Sequence, residues 1–145
     1  IKGRPESKGY LRLVTFDMLK DITDQTIPQA VLDFWPGPLT VVVNHHSDSP
    51  EGPGTVAVRV PDSKLLADLL EAVGKPLFST SINKAGESPL NDPQHIAEQF
   101  GSSLAFLIDG GPIEQQKPST ILDITVKPFR ILRQGGIIIP RDLVS

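Results

Sequence analysis

Cysteine is absent from the 145 residues. That excludes disulfides, zinc–thiolate sites and thiol nucleophiles. No apolar run approaches the length of a membrane-crossing helix, and the opening Ile1-Lys2-Gly3-Arg4-Pro5 does not read as a signal peptide. A cytoplasmic home is the expectation. A global basic excess is lacking too. The net charge is −3 and the isoelectric point about 5.5, so any contact with a nucleotide or nucleic acid must rest on a local cluster of cations. There is no G-x-x-x-x-G-K-[ST] phosphate loop and no G-x-S-x-G nucleophile turn. The three histidines, His45, His46 and His95, have no cysteines to join, and no metal site is expected. An initiating methionine is also missing, which leads to the expectation that the natural N-terminus lies upstream.

What is present suits one globular domain. Hydrophobic residues make up 39% and charged residues 21%, values ordinary for a soluble globular domain. Fourteen prolines and twelve glycines are spread along the sequence as turn punctuation. No linker or internal repeat divides it, and the reading is a single domain over 1–145.

Strands are expected over 10–14, 39–43, 55–60, 76–81, 104–109, 120–125 and 129–132. Helices are expected over 16–22 with Thr15 as cap, from Ile27-Pro28 to Trp35, over 63–73, and from Asp92-Pro93 to Gly101. Gly74 is the expected stop of the third helix. Interleaved helices and strands followed by closing strands indicate an α/β fold with a mixed sheet.

Several residues stand out chemically. Lys2 and Arg4 project to one side if their segment is extended, as Pro5 favours. Two such cations suit a phosphate or carboxylate, but on composition alone a solvated charged terminus is the favoured reading. In the strand 55–60, Val56, Val58 and Val60 share one face and Thr55, Ala57 and Arg59 the other. A guanidinium on that second face needs an acceptor, either an anion or a structural carboxylate. Ser79, Ser81 and Asn83 share parity at the end of an apolar strand, where ligands gather in open α/β sheets. They also read as turn-capping groups. Pro118-Ser119-Thr120 opens a strand, and simple alternation puts Arg133 on one face with Phe129 and Ile131. Asp109-Gly110-Gly111 reads as a turn, or as a nest of amides for an anion.

Seven landmarks occur in order: Lys2-Gly3-Arg4-Pro5, Trp35-Pro36-Gly37-Pro38-Leu39-Thr40, Val56-Ala57-Val58-Arg59-Val60, Ser79-Thr80-Ser81-Ile82-Asn83, Asp109-Gly110-Gly111-Pro112, Pro118-Ser119-Thr120 and Ile131-Leu132-Arg133-Gln134-Gly135. With this set the sequence resembles the YrdC/TsaC family of L-threonylcarbamoyladenylate synthases, in its short single-domain form. The family's preceding Pro-Thr-x-Thr-x-Tyr-Gly-Leu segment is not in the sequence, so an N-terminally truncated domain is the expectation.

The resemblance implies a twisted mixed β-sheet flanked by helices around a cationic cleft. It implies a nucleotidyltransferase that makes threonylcarbamoyl-AMP and pyrophosphate from ATP, L-threonine and bicarbonate, with Mg²⁺ accompanying the nucleotide. The product would serve N6-threonylcarbamoyladenosine (t6A) modification of tRNA, with tRNA and other proteins of that pathway as partners and no membrane. Lys2, Arg4, Lys8, Thr55, Ser79, Ser81, Asn83 and Arg133 would contact ATP, with Lys2 and Arg4 supplying electrostatic stabilisation. Arg59 and Ser119 would hold threonine. Two rival readings are the carbamoyl-adenylate-forming module of hydrogenase maturation factors and a non-catalytic nucleotide- or RNA-binding module.

Overall fold

The computed structural model describes residues 11–49, 52–84, 86–113 and 117–145. They divide between two compact units. The larger holds the described residues up to 79 and those from 117 onward, and the smaller holds those between 80 and 113.

The larger unit is built on a six-stranded mixed sheet. Its strands are β1 (Leu11–Leu13), β2 (Leu39–Asn44), β3 (Thr55–Arg59), β4 (Leu77–Ser79), β5 (Thr120–Asp123) and β6 (Arg130–Arg133). Their order across the sheet is β4-β1-β3-β2-β5-β6. The β1–β3 and β2–β5 pairs are parallel and the other three antiparallel.

Alternation decides which face is buried. Val56 and Val58 of β3, Leu39, Val41 and Val43 of β2, and Leu122 of β5 lie in one apolar cluster with Val14, Ile22, Val31, Trp35, Ile124, Phe129 and Ile139. Val31 comes from the short helix α1 (Gln29–Leu32). Met18 and Leu19 of the 3₁₀ turn Asp17–Asp21 pack against the same cluster. The expected helix over 16–22 is therefore this tighter turn. Its N-cap is Phe16, without a side-chain cap bond, rather than the expected Thr15, whose hydroxyl one residue earlier accepts the Met18 amide at 3.4 Å.

Helix α2 (Lys64–Val73) matches expectation at both ends. The Ser63 hydroxyl accepts the Leu66 amide at 3.4 Å, and Gly74 closes the helix at φ 66°, a left-handed conformation that a side chain disfavours. A last turn of helix, α4 (Arg141–Val144), follows Pro140.

In the smaller unit Asp92 caps α3 (Pro93–Phe100), its Oδ1 accepting the amides of Gln94 and His95 at 2.9 and 3.1 Å. The helix runs into a 3₁₀ turn, Gly101–Ser103. The expected strand over 104–109 is a correction: that segment has no strand conformation, and Phe106 is 72% exposed. An apolar run makes a strand only where a neighbouring strand completes its hydrogen bonds, and Leu104–Asp109 is not in the sheet. Asp109-Gly110-Gly111 forms a turn in which the Gly111 amide donates to Asp109 Oδ1 at 2.8 Å. The carboxylate of the same turn thus occupies that amide of the alternative anion nest.

Candidate functional site

The second face of the sheet is mixed in character, and it carries the polar residues singled out in the sequence. On β3 it shows Thr55, Ala57 and Arg59. Leu11 pairs with both Ala57 and Ser79, which puts Ser79 on this face two strands from Ala57. Val42 pairs with Ala57. Continuing that register by two residues sets Thr40 beside Arg59.

Arg133 reaches the same face through an irregularity. Leu122 pairs with Ile131, while the next residue back, Ile121, pairs with Arg133. One step along β5 therefore spans two steps along β6. Such a bulge turns the following side chain to the opposite side. Simple alternation had put Arg133 with Phe129 and Ile131. The bulge leaves those two with the core cluster and swings Arg133 across to the Arg59 side. Arg59, Thr40, Ile121 and Arg133 then stand on successive strands, about 14 Å from first to last at the usual strand spacing.

Four side chains hold this row together. Arg59 Nε donates to Gly37 O at 2.8 Å. Partial burial pushes the Arg59 pKa down from its ordinary value, since desolvation disfavours the charged form. Arg133 donates from Nε and Nη2 to Ser119 O at 3.0 and 2.9 Å, and from Nη2 to Ser119 Oγ at 3.0 Å. Ser119 Oγ lies 2.8 Å from Thr40 Oγ1. Among the described residues neither guanidinium has a carboxylate within ion-pair distance. Of the two candidate partners for Arg59, an anion or a structural carboxylate, the second is thus not found there.

Backbone geometry fixes where these groups sit. Gly37 follows the cis Trp35–Pro36 bond, and its amide donates to Val60 O at 3.0 Å. A Cβ on Gly37 would lie 2.5 Å from Phe34 O, so the turn that carries the carbonyl used by Arg59 has no room for a side chain at this position. On the other side, the buried Thr120 hydroxyl donates to Ile137 O at 2.6 Å and accepts the amides of Gly135 and Ile137 at 3.0 and 3.1 Å. The Gly136 amide donates to Pro118 O at 3.1 Å. This clasp binds the segment after Arg133 to the segment holding Ser119. A Cβ on Gly135 would fall against Pro118 O and within 2.5 Å of Ser119 C and Thr120 N.

Other sequence candidates fall elsewhere. Thr55 is exposed at the start of β3, opposite Asn44. Ser79 ends β4, so the extended run through Ser81 and Asn83 is a correction. Those two belong to the smaller unit, where Ser81 Oγ donates to Asn83 Oδ1 at 2.7 Å. Asn83 Nδ2 in turn donates to Lys84 O and Glu87 O at 2.9 and 2.8 Å. Their amide and hydroxyl dipoles set a turn. Lys2, Arg4 and Lys8 lie outside the described residues.

His46 Nε2 lies 2.9 Å from Asp24 Oδ1, and His45 Nδ1 lies 3.0 Å from Ser49 Oγ. Among the described residues no group of three or more His, Cys, Asp or Glu could hold a metal. No helix there is long and apolar enough to cross a membrane.

Sequence reasoning gave Thr40 and Gly37 no role of their own. The signal for Thr40 was its place as the one hydroxyl in the run Leu39–Val43, at the parity opposite Val41. The signal for Gly37 was its position between two prolines.

Comparison with known proteins agrees with this layout. The family model Sua5/YciO/YrdC, described as "Telomere recombination", matches residues 1–135. The chain is 32% identical over 144 residues to the threonylcarbamoyl-AMP synthase of Pyrococcus abyssi, covering 94% of this chain and 42% of that protein. It is 35% identical over 145 residues to the threonylcarbamoyl-AMP synthase of Vibrio cholerae, covering 93% and 76%. The crystal structure of P. abyssi Sua5 complexed with L-threonine superposes with a TM-score of 0.82 at 32% identity, over 94% of this chain and 42% of that one. E. coli YciO superposes at 0.78 with 25% identity, over 93% and 69%. The chain thus spans under half of its archaeal relative and about three quarters of its Vibrio relative. With the landmarks in order, a matching mixed sheet and a family model covering nearly its whole length, this chain belongs to the Sua5/YciO/YrdC family.

Proposed function

We propose that the protein forms threonylcarbamoyl-AMP and pyrophosphate from ATP, L-threonine and bicarbonate. The observation that carries this reading is the row across one sheet face. Two guanidinium groups without carboxylate partners among the described residues flank a hydroxyl pair. Guanidinium forks match carboxylate and phosphate geometry. The names of the Pyrococcus and Vibrio relatives and the bound threonine of the Pyrococcus structure support the choice of substrates.

The chemistry needs few proton carriers from the protein. The threonine amine adds to bicarbonate and water leaves, giving an N-carboxylate. One oxygen of that carboxylate attacks the α-phosphorus of ATP, and the bond to the β-phosphate oxygen breaks to release pyrophosphate. Bicarbonate, the N-carboxylate and the ATP phosphates are all anionic, so catalysis rests on positioning and on cations aimed at the developing charge.

In this reading Arg59 and Ser119 hold the amino acid, with Arg59 on its carboxylate. Arg133, Thr55 and Ser79 serve the nucleotide from the same face. Ser81 and Asn83 in the smaller unit keep the nucleotide role that the family motif implies, as do Lys2, Arg4 and Lys8. Mg²⁺ travels with the ATP phosphates, as hard cations with few protein ligands do. Transfer of the threonylcarbamoyl group to tRNA adenosine would consume the product, with other proteins of that pathway as partners.

The test is pyrophosphate release by the full-length protein with ATP and bicarbonate, with L-threonine present, absent or replaced by other amino acids. Release that depends on L-threonine is expected. Release indifferent to the amino acid would sink the reading.

A further inference from the structure

Arg130 lies just ahead of the last landmark, Ile131-Leu132-Arg133-Gln134-Gly135, and no motif gives it a role. The strand register does. Asp123 pairs with Arg130, and Ile121 with Arg133. Ile121 and Asp123 alternate with the buried Leu122, so both lie on the Arg59 side and carry their partners there with them. Arg130 and Arg133 are three residues apart, a spacing that plain alternation divides between two faces. The bulge brings them onto one. Their partners are two residues apart on β5, which sets the two arginines about 7 Å apart along the strand.

The two guanidinium groups are held differently. Arg133 uses Nε and Nη2 on Ser119, and its Nη1 makes no hydrogen bond among the described residues. Arg130 is exposed and makes neither hydrogen bond nor ion pair there. Asp123 stands opposite it in the register, yet Asp123 Oδ1 accepts the Thr125 amide at 2.9 Å and the Thr125 hydroxyl at 2.6 Å. That carboxylate is tied to the bend after β5. β6 is the outermost strand on its side of the sheet, so Arg130 is a cation at the margin that the described residues leave unused.

The chemistry gives this margin a direction. In the reading above, the N-carboxylate forms on an amino acid held by Arg59 and Ser119. The phosphorus under attack has to lie within bonding reach of it. Arg133 is the nucleotide residue that touches Ser119, so the α-phosphate belongs beside Arg133. As the new P–O bond forms, the bond to the β-phosphate oxygen breaks and its electron pair leaves with pyrophosphate. Attacking and leaving oxygens stand on opposite sides of phosphorus. The leaving group therefore lies beyond the α-phosphate from Ser119, toward the β6 margin, where Arg130 is the neighbouring guanidinium.

We infer that Arg130 is a further substrate-binding residue, one that takes the β- and γ-phosphates of ATP and holds them as pyrophosphate once the bond breaks. The inference rests on the adenylate-forming reading above and deepens it, because it divides the polyphosphate between Arg133 and Arg130.

AMP lacks the two outer phosphates, so it separates this role from a general effect on the site. In the full-length protein, Arg130→Ala is expected to weaken binding of ATP and of pyrophosphate about fivefold each, the scale of one exposed charged contact. Binding of AMP and of L-threonine is expected to stay within about twofold of wild type. Calorimetric titration with each of the four ligands reads this, and the loss should shrink as salt is raised. Should alanine disturb β6, Arg130→Gln removes the charge at similar length. Equal pyrophosphate affinity in wild type and variant overturns the inference. So does a loss of AMP affinity as large as that of ATP, which would mark an effect through the fold. A wild type that releases no pyrophosphate with L-threonine removes the functional reading and the inference with it. A wild type that does, with Arg130→Ala binding pyrophosphate equally well, removes the inference alone.

Discussion

Arg59 and Gly37 are joined by a single hydrogen bond, from Nε to the glycine carbonyl at 2.8 Å. It uses the one guanidinium nitrogen that lies nearest the chain. The two terminal nitrogens make no hydrogen bond among the described residues, and they keep the parallel geometry that a carboxylate fits. Gly37 belongs to the turn between α1 and β2, so the backbone there acts as a rest for the cation of the neighbouring strand.

On the proposed function, Arg59→Ala should cost the protein its grip on the amino acid. Removing a charge-assisted bidentate pair of hydrogen bonds from the bound state lowers kcat/KM for L-threonine by about 100-fold or more. Arg59→Lys keeps the charge but cannot donate to Gly37 and to both carboxylate oxygens together, and a fall of about tenfold is expected. Pyrophosphate release measured over a range of threonine concentrations checks both. Turnover unchanged in Arg59→Ala would refute the assignment.

Arg133 bridges the main chain and side chain of Ser119. Arg133→Ala should weaken ATP binding, by about tenfold for the removal of one charged hydrogen bond, and should raise the threonine KM as well because Ser119 loses its anchor. Calorimetric titration with ATP and the kinetic constants for threonine read the two effects separately. Normal affinity for both substrates would take Arg133 out of the site.

Gly135→Ala should be more damaging than its size suggests. The added methyl would meet the backbone of Pro118, Ser119 and Thr120, and none of these is a flexible side-chain end. Overpacking of this kind costs about 1–3 kcal/mol. Relaxation would open the Thr120 clasp and displace Ser119. A lowered melting temperature and a raised threonine KM are expected together. A variant as stable and as active as wild type would show that the segment has slack.

Asp24 gives the protein an acid limit. The Ser47 amide donates to Asp24 Oδ2 at 2.9 Å. That backbone hydrogen bond is the main reason the carboxyl titrates below its ordinary 3.8, with the nearby His46 adding to it. A carboxyl whose folded-state pKa is depressed stabilises the fold above its unfolded-state value and loses that contribution as the pH falls through the folded-state value. Melting temperature should decline below about pH 4, and Asp24→Asn should make that decline shallower. A wild type and Asn variant with parallel acid profiles would count against the bond.

Much of the sheet was legible in the sequence. β3 alternates cleanly, and its valines turned out to be core while Thr55 and Arg59 took the other face. Ser63 and Gly74 mark α2 because capping and left-handed closure depend on the residues at the ends themselves. Arg133 was misplaced for a different reason. A bulge is decided by the pairing of two strands, and nothing within 129–133 announces it. The turn at Ser81 and Asn83 was hidden because side-chain hydrogen bonds to nearby backbone compete with extension, and polarity alone does not show which wins. Leu104–Asp109 has the apolar content of a strand, but strand formation also needs a partner.

The irregular pairing at Ile121 and Leu122 has a second effect, because β6 is the outermost strand on its side of the sheet. A regular margin offers an unbroken row of amides and carbonyls on which another chain can zip. The extra residue at Leu132 breaks that row, and Arg130 and Arg133 bracket it with charge. The distortion that turns the Arg133 guanidinium to the Arg59 side of the sheet therefore also interrupts the row of pairing groups along this rim.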